Sequence, residues 1–380
     1  MPAHRPTSVV GSLITPTEHY AAARIEFDSH ITAVTPIDPG EAGREALTWV
    51  PGFVDLHNHG GNRGAFPTGT EKECVAAATF HHSRGTTTLL ASLVSATRDE
   101  ACRQSALLAG LVRAGLIAGI HMEGPFVSPA KCGAQDPSCV IPGDPAFLRA
   151  VIDSAEGTLA SLTLAPETAH FAELVDMCAA EGIIVSLGHT NADYDVARAA
   201  VDYAIGRGAT VTATHLFNAM PGFTHRDPGP VGALAAAARR GEVSVELIAD
   251  GVHLHDATVD TVLNNNAFAV SDAMEAAGMP DGRYRLGHLD VAVDGGIARI
   301  ANGSIAGGTS TLAEQFARFV SRHDGPRAVR FTSTNAARVL GHGEANGRGD
   351  IAPGARADLV GLDAQHRPVR VIRGGVELDI

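Results

Sequence analysis

The residues best suited to chemistry begin at 51–60, Pro-Gly-Phe-Val-Asp-Leu-His-Asn-His-Gly. An apolar run with the character of a buried strand closes on His57 and His59. On an extended chain, residues i and i+2 leave the same face. Two imidazoles on one face at a strand end can grip one divalent metal ion. A hydrogen-bonded surface pair is the bland alternative, and the apolar run before the pair and the glycines after it argue against that. Other acids and histidines stand at the ends of later apolar runs. They are Glu123 in His-Met-Glu-Gly-Pro-Phe, Glu167, His189 in Leu-Gly-His-Thr, His215 in His-Leu-Phe-Asn-Ala-Met, His253 in Asp-Gly-Val-His and Asp272 in Val-Ser-Asp-Ala. Imidazole nitrogen and carboxylate oxygen suit zinc and similar ions. Such an ion lowers the pKa of water from 15.7 to about 7, which is the chemistry of hydrolysis.

Positioning these groups requires a repeating scaffold. Apolar runs at 51–57, 86–94, 117–122, 159–165, 183–188, 209–215, 243–250 and 267–271 read as strands. Helical patterns at 98–113, 169–181, 193–206 and 256–264 lie between them, and the Ala-rich 233–238 reads as helix. This alternation predicts an α/β chain folded as a (β/α)8 TIM barrel over 51–340, whose active site is built from strand ends at one face. A lone histidine at a strand end is usually structural; recurrence at most of the ends is what favours chemistry. Residues 1–50 and 341–380 read as short strands and tight turns that pair into a small β-sandwich domain. Alternation and the Asp-Gly-Gly at 294–296 predict a β-hairpin inserted near 282–305. Residues 311–340 read as helical.

The bulk composition narrows the class. The 380 residues are 45% hydrophobic and 19% charged, as in an ordinary globular protein. The formal charge of −13 argues against nucleic acid and anionic membranes as partners. Five cysteines without a C-x-x-C suggest neither a disulfide framework nor a structural zinc knot. No apolar run reaches the ~18 residues of a membrane span. The N-terminal segment carries no long apolar core, so a cytoplasmic location is expected.

Over nearly its whole length the chain resembles the N-acetylglucosamine-6-phosphate deacetylase family of the amidohydrolase superfamily. The resemblance runs from 51–60 through His121-Met-Glu-Gly-Pro-Phe, Gly188-His-Thr, His215-Leu-Phe-Asn-Ala-Met, His225-Arg-Asp-Pro-Gly, Asp250-Gly-Val-His and Ser271-Asp-Ala to Ile305-Ala-Gly-Gly. The His-x-His and the Pro-Gly-x-x-Ala-Asp at 353–358 mark only the superfamily. His-x-Glu-Gly-Pro-Phe together with His-Leu-Phe-Asn-Ala-Met is far more specific.

The resemblance implies metal-dependent hydrolysis of the N-acetyl group of N-acetyl-D-glucosamine 6-phosphate. It implies two divalent ions per subunit, zinc first, with iron, manganese or cobalt as alternatives. Glu123 bridges them, His57, His59 and Asp272 complete one site, and His189 and His215 complete the other. Asp272 is the implied acid-base residue. The implied substrate contacts are Ala134, Gln135, Asn218, Ala219, His253, Ile305, Ala306 and Gly307, and Arg226 reaches the neighbouring site of a homodimer. His121 is expected beside the ligands rather than among them. Glu167 inherits no role and reads as a structural acid.

Two departures from the family pattern stand out. Where it commonly has Lys-Gly-Ala-His, residues 131–135 read Lys-Cys-Gly-Ala-Gln, so Gln135 replaces a histidine and cannot carry positive charge. Cys132 sits in a Pro- and Gly-punctuated stretch, 127–143, that reads as a mobile lid. It is an inert lid residue or one that enters the pocket. The alternative function is an amidohydrolase acting on another amide, a cyclic amide or a nucleobase. Many of those use a carbamylated lysine as the metal bridge, and no lysine lies near a strand end here. A non-catalytic barrel is disfavoured because every expected ligand is present.

Overall fold

The computed structural model describes residues 8–43, 47–341 and 347–380. Residues 1–7, 44–46 and 342–346, all assigned from the sequence to the terminal β-domain, lie outside the described residues. The fold separates into two compact units. One takes the chain up to Asp55, Thr79–Thr88 and Ser310 onward; the other takes Leu56–Ala78 and Leu89–Thr309.

All eight expected barrel strands form. They are β1 (Phe53–Asp55), β2 (Thr86–Leu93), β3 (Gly119–Glu123), β4 (Leu159–Leu164), β5 (Ile184–Leu187), β6 (Val211–Ala213), β7 (Ser244–Leu247) and β8 (Ala267–Ala269). They lie in one sheet in chain order, and the registered pairs from β2 to β8 are parallel. Every residue of β2 is buried, as expected of a strand covered on both faces. Beyond the last strand residues the circle is completed by the Asp272 N–H donating to the His57 carbonyl at 2.9 Å and the His59 N–H to the Ala273 carbonyl at 2.7 Å.

Helices α1 (Glu71–Ser83), α2 (Arg98–Arg113), α3 (Pro145–Ala155), α4 (Phe171–Glu181), α5 (Tyr194–Gly206), α6 (Gly229–Arg239) and α7 (Asp256–Val262) follow β1 to β7 in turn. Helix α8 (Leu312–Val320) comes after β8 and an insertion. Local chemistry sets their ends. Thr97 and Glu100 make a capping box on α2, Asp144 with Pro145 starts α3, and Gly182 in the left-handed region stops α4. The helical reading of 311–340 holds, but the run after α8 is broken into Gly325–Val329, a π turn at Arg330–Thr334 and Asn335–Val339.

The insertion is larger than a hairpin. Strands Gly282–Leu286, Leu289–Asp294, Ile297–Arg299 and Ile305–Gly307 form a four-stranded antiparallel meander. Gly295 and Gly296 make its two-residue turn with φ of 56° and 74°, the left-handed pair such a hairpin demands. The meander is tied back to the end of β8, where the Gly308 N–H donates to the Asp272 carbonyl at 2.6 Å and the Met274 N–H to the Gly308 carbonyl at 2.9 Å.

In the other unit, terminal strands form a seven-stranded mixed sheet. Leu47–Pro51 lies inside it, parallel to Ser8–Ile14 and antiparallel to Leu359–Leu362. Its core gathers Leu13, Ile25, Trp49, Leu359 and Ile372. Gly11 is dictated by close approach, since a Cβ there would sit 2.2 Å from the Leu47 carbonyl oxygen.

Candidate active site

The candidate ligands arrive from five strand ends of the barrel. His57 and His59 follow β1, Glu123 is the last residue of β3, and His189, His215 and Asp272 lie two or three residues beyond β5, β6 and β8. His189, His215 and Asp272 take φ of 47°, 24° and 48°, in or beside the left-handed region. That conformation costs a non-glycine residue about 1–3 kcal/mol and tends to mark functional sites.

These side chains meet in one buried cluster. His57 Nε2 and His59 Nε2 are 3.1 Å apart, and each lies near Asp272 Oδ1, at 3.4 and 3.3 Å. His59 Nε2 is 3.3 Å from Glu123 Oε2. On the other side of the carboxylate, His189 Nε2 and His215 Nε2 are each 3.0 Å from Glu123 Oε1. Two metal-competent sets thus share Glu123: His57, His59 and Glu123, and Glu123, His189 and His215. Asp272 adjoins the first.

Three of the rings, His57, His59 and His189, are oriented by what holds the second nitrogen, whereas His215 Nδ1 is buried without a hydrogen-bond partner among the described residues. His59 Nδ1 faces the Ser92 carbonyl at 3.2 Å, and His189 Nδ1 faces the Lys131 carbonyl at 2.9 Å. A carbonyl only accepts, so in a neutral ring the proton sits on Nδ1 and Nε2 presents its lone pair to the cluster. His57 Nδ1 faces Glu246 Oε2 at 3.3 Å. His121, buried and T-shaped against the His57 ring, spends both nitrogens on hydroxyls, Ser92 Oγ at 2.9 Å and Thr163 Oγ1 at 2.8 Å. It belongs to neither metal-competent set, as the sequence suggested.

The electrostatics is that of a site built for a cation. Burial alone would lower His57, but the Glu123 and Asp272 carboxylates outweigh it and hold the ring well above its usual value. His59 is raised for the same reason, against the same opposing burial. Burial alone would raise Asp272, yet the His57 and His59 imidazoles pull it down to about 2. Glu123 is likewise pulled well below the carboxylate range, burial being overcome by His57 and His189. Burial and the neighbouring His57 charge push His121 well below the histidine range, which leaves it neutral. The two carboxylates thus draw positive charge toward the imidazoles, a demand that a divalent ion can meet. The donor set, imidazole nitrogens and carboxylate oxygens, fits such ions.

The cluster floors a cavity of about 400 Å³. Of the residues singled out from the sequence, His59, Glu123, Ala134, Gln135, His189, His215, Asn218, Ala219, His253, Asp272, Ile305 and Ala306 line it. His57 is fully buried behind it. Gly307 packs against Asp272, where a Cβ would lie 3.0 Å from the Asp272 carbonyl oxygen. Cys132 is half-buried and outside the lining, between Lys131 and Gly133, which are both in it. Arg226 lies exposed in the 221–228 loop, away from the cavity wall. Glu167 is structural, accepting from the Thr190 hydroxyl at 2.6 Å and the Asn191 N–H at 2.7 Å. His253 is paired with Asp250 at 2.8 Å and reaches to 3.8 Å from Asp272.

Gln135 has a more specific placement than the sequence suggested. Its amide donates to Glu123 Oε2 at 2.6 Å, and its carbonyl accepts from the Ser95 N–H at 2.6 Å. Glu246 and Ser92 were missed altogether. A glutamate inside the apolar run Ser-Val-Glu-Leu-Ile was the available signal, because a charge within a buried parallel strand needs a partner.

A parallel barrel with two histidine–carboxylate clusters at its strand ends defines a class, and the chain belongs to the amidohydrolase family, whose model matches residues 48–377. Within that family it is similar to N-acetylglucosamine-6-phosphate deacetylase of Bacillus subtilis (strain 168), with 34% identity over 82% of this chain and 79% of the relative. It is 31% identical, over 89% of both chains, to N-acetylgalactosamine-6-phosphate deacetylase of Escherichia coli O157:H7. A mutant of N-acetyl-D-glucosamine-6-phosphate deacetylase from Mycobacterium smegmatis, in complex with N-acetyl-D-glucosamine-6-phosphate, superposes with a TM-score of 0.88. The two are 39% identical, and the match covers 98% of this chain and 99% of that one.

Proposed function

We propose that this protein hydrolyses the acetamido group of N-acetyl-D-glucosamine 6-phosphate, giving D-glucosamine 6-phosphate and acetate. The observation that carries this reading is the pair of histidine sets sharing Glu123 on a cavity floor, with Asp272 beside them. Relatives named for this reaction match the chain over most of its length.

His57, His59, Glu123 and Asp272 hold one divalent ion, and Glu123, His189 and His215 hold a second. Zinc is the first choice for this donor set, and iron, manganese and cobalt also suit it. When bound, such ions lower the pKa of water and polarise a carbonyl oxygen. Asp272 is ionised at neutral pH and faces the cavity. It accepts a proton as water adds to the acetyl carbonyl, then returns it to the nitrogen as the C–N bond breaks. Asn218 and the Ala219 backbone hold the phosphate end, His253 contacts the sugar, and 305–307 cover it. Arg226, exposed on its own subunit, serves the neighbouring site of a homodimer by bidentate contact with phosphate.

The test is amine release by zinc-loaded protein from N-acetylglucosamine 6-phosphate, N-acetylgalactosamine 6-phosphate and unphosphorylated N-acetylglucosamine. Turnover of the first with little of the third is expected. Turnover of neither phosphorylated sugar sinks the reading, and preference for the galacto isomer moves it to the epimer.

A further inference from the structure

Glu246 is a carboxylate in the middle of β7, 4% exposed, inside the barrel and below the cavity floor. It does not line the cavity and cannot touch substrate. Four polar groups converge on its oxygens. The Ser186 and Thr212 hydroxyls lie 3.2 and 3.3 Å from Oε1. The His215 N–H and His57 Nδ1 each lie 3.3 Å from Oε2.

We infer that Glu246 is a positioning residue for the first cation site: it fixes a proton on His57 Nδ1 and so aims the His57 Nε2 lone pair at that site. This inference rests on the proposed two-ion reading and adds a residue outside its ligand set. The Ser186 and Thr212 hydroxyls and the His215 N–H all donate to Glu246, so its oxygens act as acceptors and the His57 nitrogen facing Oε2 is the fourth donor. The other nitrogen then points at His59, Glu123 and Asp272. Carbonyls do the same for His59 and His189. Glu246 differs in doing this with a side chain, which the Ser186 and Thr212 hydroxyls hold in place.

Glu246 is itself held in place. Ser186 Oγ is 2.7 Å from Thr212 Oγ1 and 2.6 Å from Thr214 Oγ1, and Thr214 Oγ1 is 3.0 Å from Thr163 Oγ1. Thr163 reaches His121 Nε2 at 2.8 Å, whose Nδ1 reaches Ser92 Oγ at 2.9 Å. A chain of hydroxyls thus crosses the barrel interior from β2 to β7 and ends on the carboxylate that orients His57. This polar network holds the Glu246 carboxyl in one orientation beneath the cluster.

The test is zinc binding by the full-length protein, read as stoichiometry and dissociation constants in equilibrium dialysis, with circular dichroism as the fold check. Wild-type protein is expected to hold two ions. Folded Glu246→Gln is expected to keep one at wild-type affinity and to bind the other about 10- to 100-fold more weakly. Two wild-type affinities in a folded Glu246→Gln overturn the inference and leave the deacetylase reading intact. A wild-type protein that retains no ion removes both. Should Glu246→Gln fail to fold, nitrogen-15 NMR of zinc-loaded wild-type protein decides instead. A protonated His57 Nδ1 with ligation through Nε2 supports the inference, and ligation through Nδ1 overturns it.

Discussion

The Asp272 N–H donates to the His57 carbonyl at 2.9 Å, while Asp272 Oδ1 lies 3.4 Å from His57 Nε2. The first and last strand ends are thus joined twice, by backbone and by side chain. The contact that closes the barrel therefore also sets the distance between two residues of the first proposed cation site, so small shifts after β8 reach the floor of the cavity.

Asp272→Asn separates acid-base function from architecture. The backbone bond to His57 is unchanged and the amide oxygen still faces the cluster, so fold and at least one bound ion are retained. Proton transfer is lost, and turnover should fall by about 10²- to 10⁴-fold. Amine release alongside metal analysis checks this; near-normal turnover would remove Asp272 from the role.

Gly308→Ala should reduce activity without removing any reactive group. A Cβ at this position would lie 2.3 Å from the Ser271 carbonyl oxygen, so the Gly308 segment and the one carrying Asp272 must move apart. A displacement approaching 1 Å costs on the order of 10²-fold in rate. The expected result is a large drop in kcat with both ions retained. Wild-type kcat would show that the segment tolerates the side chain.

Gln135→Ala removes two short hydrogen bonds at once. Glu123 Oε2 loses its amide donor, and the buried Ser95 N–H loses its acceptor. An unsatisfied buried group costs about 1–3 kcal/mol, so thermal stability and affinity for the shared ions should both fall. Thermal melts and zinc titrations of the variant check both. An unchanged melting temperature would mean that water or a neighbour replaces the amide.

Metal loading at neutral pH should release protons. The Glu123 and Asp272 carboxylates raise His57 and His59 in the metal-free protein, so cations compete there with protons. Titration calorimetry in buffers of different ionisation enthalpy should show about one proton or more released per chain. The same shifts set the stability of the metal-free form. Groups raised above the unfolded value contribute fully below about 6.5, and that contribution is lost as pH rises through their raised values. Metal-free protein should therefore melt at lower temperature at pH 9 than at pH 6.5, while zinc-loaded protein should not follow this trend. Equal metal-free melts would contradict the charge assignment.

Much of the scaffold was legible because its signals are local. The apolar runs located all eight barrel strands, and Asp-Gly-Gly located a turn whose two glycines are left-handed. The insertion was read as a hairpin although four strands form, because Ile297–Arg299 and Ile305–Gly307 are too short to carry a pattern of their own. The break of the 311–340 helix into a π turn left no mark in the periodicity.

For the site, the sequence by itself determined which side chains stand at strand ends, since His57 and His59 share a face through the two-residue period of an extended chain. The resemblance, rather than the residues alone, implied which of them to group. Only the tertiary structure decided how they touch. That Gln135 grips Glu123, that Glu246 faces His57 from β7, and that His189, His215 and Asp272 turn inward through unusual backbone angles all depend on closing eight strands with one particular stagger. Contacts across a closed barrel join residues dozens to hundreds of positions apart, and no period along the chain encodes which of them come to lie opposite one another.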